Sequence, residues 1–226
     1  MISGEGFGGR VLAQGLKEAA ALLGPPAEAC VLHIRGGGIN LHDWRPAWSV
    51  LLGQIVAGAG VCWQGPGVDA WTTEPDVGYT EIAEPFIREG KAEAVALTQA
   101  KKLWEDSLGV CWFACWGVKD VLPNSAKAIE LATGWEGFDS NEAMEVGQRL
   151  INMQRIIAIK RGFSSKDEFD VSDRLLEAPT EGKAAGKTIK PYLKDMVQDY
   201  YQEMGWEESG WPKARTLEKV GLAGEL

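Results

Sequence analysis

The sequence predicts a mainly α-helical protein, an irregular assembly of helices with few short strands. Three stretches, residues 10–23, 92–108 and 139–157, carry apolar side chains at steps of three and four residues, which is the period of an amphipathic helix. Segments of strand composition are few and short, and the clearest of them is CVLHI at residues 30–34. We therefore expect helices to build most of the core.

Composition limits the functions that this chain can have. It has 226 residues, a net charge of -9 and a sequence pI near 4.9, so it would repel nucleic acid and anionic membranes. No run of about 18 apolar residues occurs, as a membrane span would need, and the N-terminus has no signal-peptide core. These features predict a cytoplasmic protein. Ten tryptophans are the unusual feature, and they suit either a large core or the lining of a sizeable pocket.

Residues 1–79 are predicted to contain two helices. The first runs over residues 10–23 and ends where Gly24 is followed by two prolines, since proline cannot continue a helix. Pro46 favours the start of a second helix, which two glycines weaken. Residues 64–79 are rich in glycine and proline and are predicted to be irregular.

The rest of the chain is predicted to be more regular. The helix over residues 92–108 should expose a charged outer face formed by Lys101, Lys102 and Glu105, and Gly109 should end it. Another helix should begin at Asp139, where Glu142 completes the pattern of a capping box, and should end near Gly162. Its predicted buried stripe consists of Ala143, Val146, Leu150, Met153 and Ile157. Residues 163–187 are predicted to be mostly loop, and two further helices are expected at residues 189–204 and 213–220.

The stretch WEDSLGVCWFACW at residues 104–116 contains the spacing D-x-x-G-x-C. Asp106 can accept hydrogen bonds from the amino groups of a bound heterocycle. Gly109 lets the backbone turn and directs main-chain groups outward, and Cys111 can present a thiolate to iron. The pattern also occurs by chance, and the alternative is an ordinary helix end with a solvated Asp106 and a buried Cys111.

Four further segments, taken in order with this turn, resemble the C-terminal part of the tungsten-pterin aldehyde ferredoxin oxidoreductase family. FGGRVLAQGLKEAAALLG resembles its glycine-led helix, and GGGINLHDWRPAW resembles its K-G-L-E-x-x-x-H-D-P-R segment. IAIKRGFSSKDEFD resembles F-N-x-R-E-G-F followed by an acidic pair. YYQEMGWEESGWPKARTLEKVGL is very close to the family's tail, Y-Y-x-x-R-G-W-D-x-x-G-x-P-x-x-x-x-L-x-x-L-G-L. The resemblance covers the whole chain and implies the family's C-terminal α-helical domains.

The resemblance implies a cofactor site and a redox partner. Asp106, Gly109, Val110 and Cys111 would contact a tungsten-bis-pterin cofactor, and Cys111 would be the last ligand of a 4Fe-4S cluster. Electrons would pass between a small-molecule substrate, an aldehyde in most members, and a ferredoxin-like carrier in an anaerobic organism. The family's other three cluster cysteines precede every matched segment. We therefore expect a missing N-terminal domain or partner subunit, and this chain alone would then hold no cofactor and be inactive.

One segment departs from the family pattern. AGAGVCWQG at residues 57–65 falls where typical members show R-G-[AG]-[CD]-H-L, which places Ala59 at the arginine and Trp63 at the histidine. An indole cannot shuttle a proton as imidazole does, so aromatic ring reduction of the benzoyl-coenzyme A reductase type is an alternative reaction. A non-catalytic helical docking module is a third reading. We treat residues 1–226 as one C-terminal helical region with a possible sub-boundary near residues 62–80.

The remaining cysteines and histidines have plainer interpretations. Cys115 lies four residues after Cys111 and is expected to be core, with a two-thiol clip as the alternative. Cys62 and Trp63 are expected either to line the substrate cavity or simply to pack. His33 is expected to be a core histidine, and His42 with Asp43 a structural pair.

Overall fold

The computed structural model describes residues 6–39, 42–58, 67–69 and 73–225 of the chain. Within these residues the fold is mainly α-helical, as predicted, with one antiparallel pair of two-residue strands, β1 (His33–Ile34) and β2 (Gly37–Gly38). The helices in chain order are α1 (Gly6–Leu12), α2 (Leu16–Leu23), α3 (Pro25–Glu28), α4 (Trp48–Val56), α5 (Lys91–Ser107), α6 (Trp112–Cys115), α7 (Val121–Thr133), α8 (Ser140–Lys160), α9 (Asp173–Leu176), α10 (Leu193–Glu203) and α11 (Ala214–Lys219).

The helix predicted over residues 10–23 is two helices. Gly15 has a φ of 96° and separates α1 from α2, because that backbone conformation is open to glycine and incompatible with a continuous right-handed helix. Three leucines of the predicted apolar face, Leu12, Leu16 and Leu23, are exposed, while Ala19 and Ala20 are buried.

The core is built around α5. It packs against α8, α10 and α4, and α4 is buried along its whole length. One cluster of buried side chains joins residues of these four helices, so residues on both sides of the irregular segment 64–79 share it. Two of these helices approach closely at Gly147 of α8, where a Cβ atom would clash with the carbonyl of Ala100 in α5.

The charged outer face predicted for α5 is wrong. Lys101, Lys102 and Glu105 are only 3%, 8% and 1% exposed. The helix is covered on most of its circumference, so these side chains have no solvent to reach. Their charges are paired inside the protein: Lys101 lies 3.0 Å from Glu74 and 2.5 Å from Glu105.

Asp139 caps α8 as predicted, accepting hydrogen bonds from the backbone N–H groups of Asn141 and Glu142. The predicted buried stripe is correct at Ala143 and wrong in its last turns, where Met153 and Ile157 are exposed. The buried face also includes Gly147, Asn152 and Arg155, small and polar residues that an apolar pattern passes over. Its members are Ala143, Gly147, Ile151, Asn152, Arg155 and Ile156.

Arg155 ties α8 to the C-terminal part of the chain. Its guanidinium group lies 2.7 Å from Glu168 and donates hydrogen bonds to the hydroxyl of Tyr201 and the carbonyl of Gly210. It also lies over the ring of Trp206, 4.6 Å from the centroid. One fully buried side chain thus connects α8, the 3₁₀ turn at 167–169, α10 and the loop before α11.

Two helices, α6 and α7, lie between residues 110 and 138, where none was predicted. In α7 only Leu122 and Ala126 are buried. These two residues join a small second core with Trp104, Phe138 and Ala143. Among the described residues, none of the helices is both long and apolar enough to cross a membrane.

The contact at Gly147 gives a stability prediction. Gly147→Ala should lower the free energy of unfolding by about 1–3 kcal/mol, because the added methyl group would force α5 and α8 apart. Glu145→Ala, at an exposed position of the same helix, is the control and should stay within about 0.5 kcal/mol of wild type. Urea denaturation measures both. A Gly147→Ala variant as stable as wild type would contradict the close packing.

Candidate functional site

The turn that holds the sequence-predicted site residues closes the C-terminus of α5. Gly109 has a φ of 73°, its N–H donates to the carbonyl of Asp106, and the N–H of Val110 donates to the carbonyl of Glu105. This pair of bonds is a Schellman motif, which satisfies the last carbonyls of a helix. Apart from its chain neighbours, no heavy atom of the described residues lies within 4 Å of where a Cβ of Gly109 would be.

Asp106 lies on the open side of this turn. Its side chain is 41% exposed, and it forms an ion pair with Lys102 one helical turn earlier. The pairing leaves part of the carboxylate accessible as a hydrogen-bond acceptor for a ligand. The alternative predicted from sequence, an ordinary helix end, also expects a solvated Asp106.

Cys111 is a free thiol on the surface, and Cys115 is buried. Cys111 immediately precedes α6, and Cys115 is its last residue. Burial raises the pKa of the Cys115 thiol, which favours the core interpretation of that residue over a metal-binding one. The helix-end alternative for this turn expects a buried Cys111, and the structure places Cys111 outside instead.

An apolar surface adjoins the turn. We call it the α6 face, and its members are the exposed residues Val110, Phe113, Trp116 and Val118. Phe113 is 72% exposed, and Trp116 stacks on the buried Trp112 with ring centroids 5.3 Å apart. Large exposed aromatic side chains next to one another mark an interaction surface more often than a solvated one.

A buried group of charges lies beneath the turn. Lys101 sits between the carboxylates of Glu74 and Glu105, and the indole N–H of Trp112 donates to Glu74 at 3.3 Å. The second carboxylate oxygen of Glu105, Oε2, has no hydrogen-bond partner among the described residues. Burial therefore raises the pKa of Glu105 against the opposing effect of Lys101. Sequence reasoning missed Glu74 altogether, because it lies 27 residues from Lys101 in a segment read as loop.

The other candidate residues lie apart from this turn or outside the described residues. His33 is buried, its Nδ1 accepts the backbone N–H of Gly36, and burial lowers its pKa. The carboxylate of Asp43 is bound by Arg45 at 2.7 Å. Ala59, Cys62 and Trp63 lie outside the described residues. Within the described residues no group of three or more His, Cys, Asp or Glu side chains could hold a metal.

A family model described as "Aldehyde ferredoxin oxidoreductase, domains 2 & 3" matches residues 1–222. The chain belongs to the aldehyde ferredoxin oxidoreductase family. Among its relatives is the tungsten-containing aldehyde ferredoxin oxidoreductase of Pyrococcus furiosus, which is 28% identical over 222 residues, 97% of this chain and 35% of the relative. The same organism's "Aliphatic sulfonate oxidoreductase, WOR-like subunit" is 26% identical over 235 residues, 98% of this chain and 33% of the relative.

A solved structure shares the fold of this family member. It is the active site complex BamBC of benzoyl coenzyme A reductase in complex with 1,5-dienoyl-CoA, with a TM-score of 0.72 and 18% sequence identity. The match covers 96% of this chain and 37% of that one. The chain thus spans about a third of the length of the proteins that it matches.

Removing the central cation of the buried charges should destabilise the protein. In Lys101→Met the carboxylates of Glu74 and Glu105 lose their shared partner, and breaking a buried pair this way costs about 3–5 kcal/mol. Lys127→Met is the matched control, because Lys127 is 61% exposed in its pair with Glu130 and should contribute about 0–1 kcal/mol. Equal effects of the two substitutions on urea denaturation would show that Lys101 is not the buried partner.

The raised pKa of Glu105 predicts a pH dependence. A raised carboxyl pKa gives stability that is complete below the ordinary value of 4.5 and is lost as pH rises through the folded-state pKa. Glu105→Gln cannot ionise and escapes this loss. The difference in unfolding free energy, variant minus wild type, should therefore increase from pH 4 to about pH 7. Urea denaturation across this range measures it, and a constant difference would contradict the assignment.

Proposed function

We propose that this chain contributes the turn from Asp106 to Cys111 to the tungsten-pterin and iron–sulfur site of an oxidoreductase. The observation that carries the proposal is that this turn presents both side chains at the surface, beside an unpartnered apolar face. The remaining cofactor contacts would come from the roughly two thirds of the relatives' length that the chain does not match. A cytoplasmic, anaerobic setting and an external ferredoxin-like electron carrier are parts of the same proposal.

The residues of the turn suit the roles proposed for them. Cys111 offers one thiolate, which is the ligand type that holds iron–sulfur clusters. Asp106 offers an acceptor for the amino groups of a pterin, while Gly109 and Val110 leave space in which a planar ligand can approach the backbone. When bound, the cluster would carry electrons to and from the tungsten centre. This chain's own part is to hold the thiolate and carboxylate in place.

The α6 face suits contact with the complementary part of the enzyme. Burying its four side chains would remove apolar surface from water at about 25 cal/mol per Å², and would also exclude water from a cofactor bound at the turn. A docking module without cofactor would use the same face. The two readings differ in whether Asp106 and Cys111 are needed for metal binding.

The reaction proposed is the oxidation of an aldehyde to a carboxylic acid, or its reverse. Aromatic ring reduction of the benzoyl-coenzyme A type is the second candidate. The observation that favours it is Trp63, an indole where the family pattern has a histidine. Anoxic assays of the assembled enzyme with an aldehyde and with an aromatic coenzyme A thioester distinguish the two.

Metal content tests the cofactor proposal. The chain should be co-expressed under anoxic conditions with the N-terminal part of a family member, and iron and tungsten measured in the purified complex. Cys111→Ala should lose most of the iron with its spectroscopic signal, and Asp106→Asn should lower tungsten. Cys30→Ala, which removes another exposed thiol, should leave both unchanged. A wild-type complex without either metal, or Cys111→Ala with full iron, would overturn the proposal.

A further inference from the structure

A small closed loop, residues 74–79, contacts α5, Trp112 and the N-terminus of α7, on either side of the Asp106–Cys111 turn. The backbone N–H of Glu74 donates to the carbonyl of Tyr79 at 2.8 Å, and the N–H of Tyr79 donates back at 3.0 Å. Between them lies a 3₁₀ turn, Pro75–Val77, followed by Gly78 with a φ of 94°. We call this segment the 74–79 loop. Its two hydrogen bonds and its proline fix the positions from which Glu74 and Asp76 project.

Glu74 holds the start of α6. Its Oε1 accepts the indole N–H of Trp112 at 3.3 Å, and its Oε2 lies 3.0 Å from Nζ of Lys101 in α5. The residue is 3% exposed, and hydrogen bonds to a buried charged group are among the stronger ones. Glu74 therefore links α5 to Trp112, the residue that directly follows Cys111.

Asp76 holds the far end of the same span. Its two carboxylate oxygens accept the backbone N–H groups of Asp120 and Leu122, each at 2.8 Å. These donors lie at the N-terminus of α7, whose own N-cap residue, Asp120, has a φ of 63° and makes no side-chain cap. An acidic side chain from another segment thus takes the role that an N-cap residue normally has.

The span between these two anchor points is mostly exposed. It includes α6, which has four residues and is too short to be stable in isolation. Residues 116–120 are all exposed, so burial does not hold them either. Burial of Trp112 and Cys115 holds one side of α6, while the bonds from Glu74 and Asp76 fix the orientation of the Trp112 indole and the far end of the span.

We propose that Glu74 and Asp76 are positioning residues for the Cys111 turn. They fix both ends of residues 112–122, so that the thiol and the α6 face keep one arrangement before any cofactor or partner is present. The inference rests on the proposed function, because the position of Cys111 matters if that residue binds a cofactor. The observations that support it are the contacts of the 74–79 loop. The simpler reading is that Glu74 only neutralises Lys101, for which Glu105 is already available.

The test uses the 226-residue chain without cofactor. Three quantities are measured: hydrogen exchange of the Asp120 and Leu122 amides, the indole N–H resonance of Trp112, and the rate of Cys111 labelling by a thiol reagent, resolved by peptide mass spectrometry. In Asp76→Asn, exchange at these amides should rise about tenfold or more, because a charge-assisted bond is lost. Asp195→Asn is the control, since Asp195 is an exposed partner of Arg88, and it should change none of the three.

Glu74 needs two variants. Glu74→Ala removes the acceptor and should shift the Trp112 resonance and change the Cys111 labelling rate severalfold. Glu74→Gln keeps an acceptor of the same length but no charge, so it should restore both towards wild type if Glu74 positions Trp112. If only the charge matters, Gln and Ala will behave alike, and that result overturns the proposal for Glu74. Circular dichroism checks that each variant is folded.

The outcome separates this inference from the proposed function. Wild-type exchange, resonance and labelling in Asp76→Asn and Glu74→Ala would disprove the positioning role, whatever metals the assembled enzyme binds. Conversely, the metal analysis of the Cys111→Ala complex tests the cofactor role without reference to the 74–79 loop. In the assembled enzyme, positioning also predicts that Glu74→Ala broadens or shifts the cluster's electron paramagnetic resonance signal and that Glu74→Gln recovers it.

Discussion

The close approach of α5 and α8 at Gly147 is the constraint from which the arrangement of this protein follows. A glycine there lets the backbone of α8 reach the carbonyl of Ala100, so the two longest helices lie closer than side chains would permit. With α5 fixed on this side and covered by α4 and α10 on others, its C-terminal turn has a fixed direction. The residues proposed to meet the cofactor stand on that turn.

Because α5 is enclosed, some of its charged side chains are buried and need partners of opposite charge close by. Charged side chains on its inner surface cannot reach water, and an unpaired buried charge is strongly unfavourable. Lys101 is therefore matched by two carboxylates, as Arg155 is matched by Glu168 and Lys91 by Asp69. The pair of Lys101 with Glu105 joins adjacent turns of α5. The other pairs join segments that are separate in the sequence, so they also specify which segments meet.

The family match and the exposed surface both support the proposal that this chain supplies one part of a shared site. The family match covers nearly the whole chain, yet the chain spans about a third of its relatives. The turn with Asp106 and Cys111 and the neighbouring α6 face are both open, as the contribution of one part to a shared site would be. In our proposal, the 74–79 loop would give this open region a definite shape before the second part binds.

Several local features were predictable from the sequence alone. The ends of α5 and α8 at Gly109 and Gly162 and the cap at Asp139 follow from the conformations of a few adjacent residues, and the motifs of the chain indicated the family. Which faces are buried was decided by tertiary structure: Lys101 lies inside, and Met153 of α8 lies outside. The bond from Trp112 to Glu74 joins residues 38 apart. Local signals specify backbone turns because those depend on neighbours in the chain, whereas burial and charge pairing depend on neighbours in space.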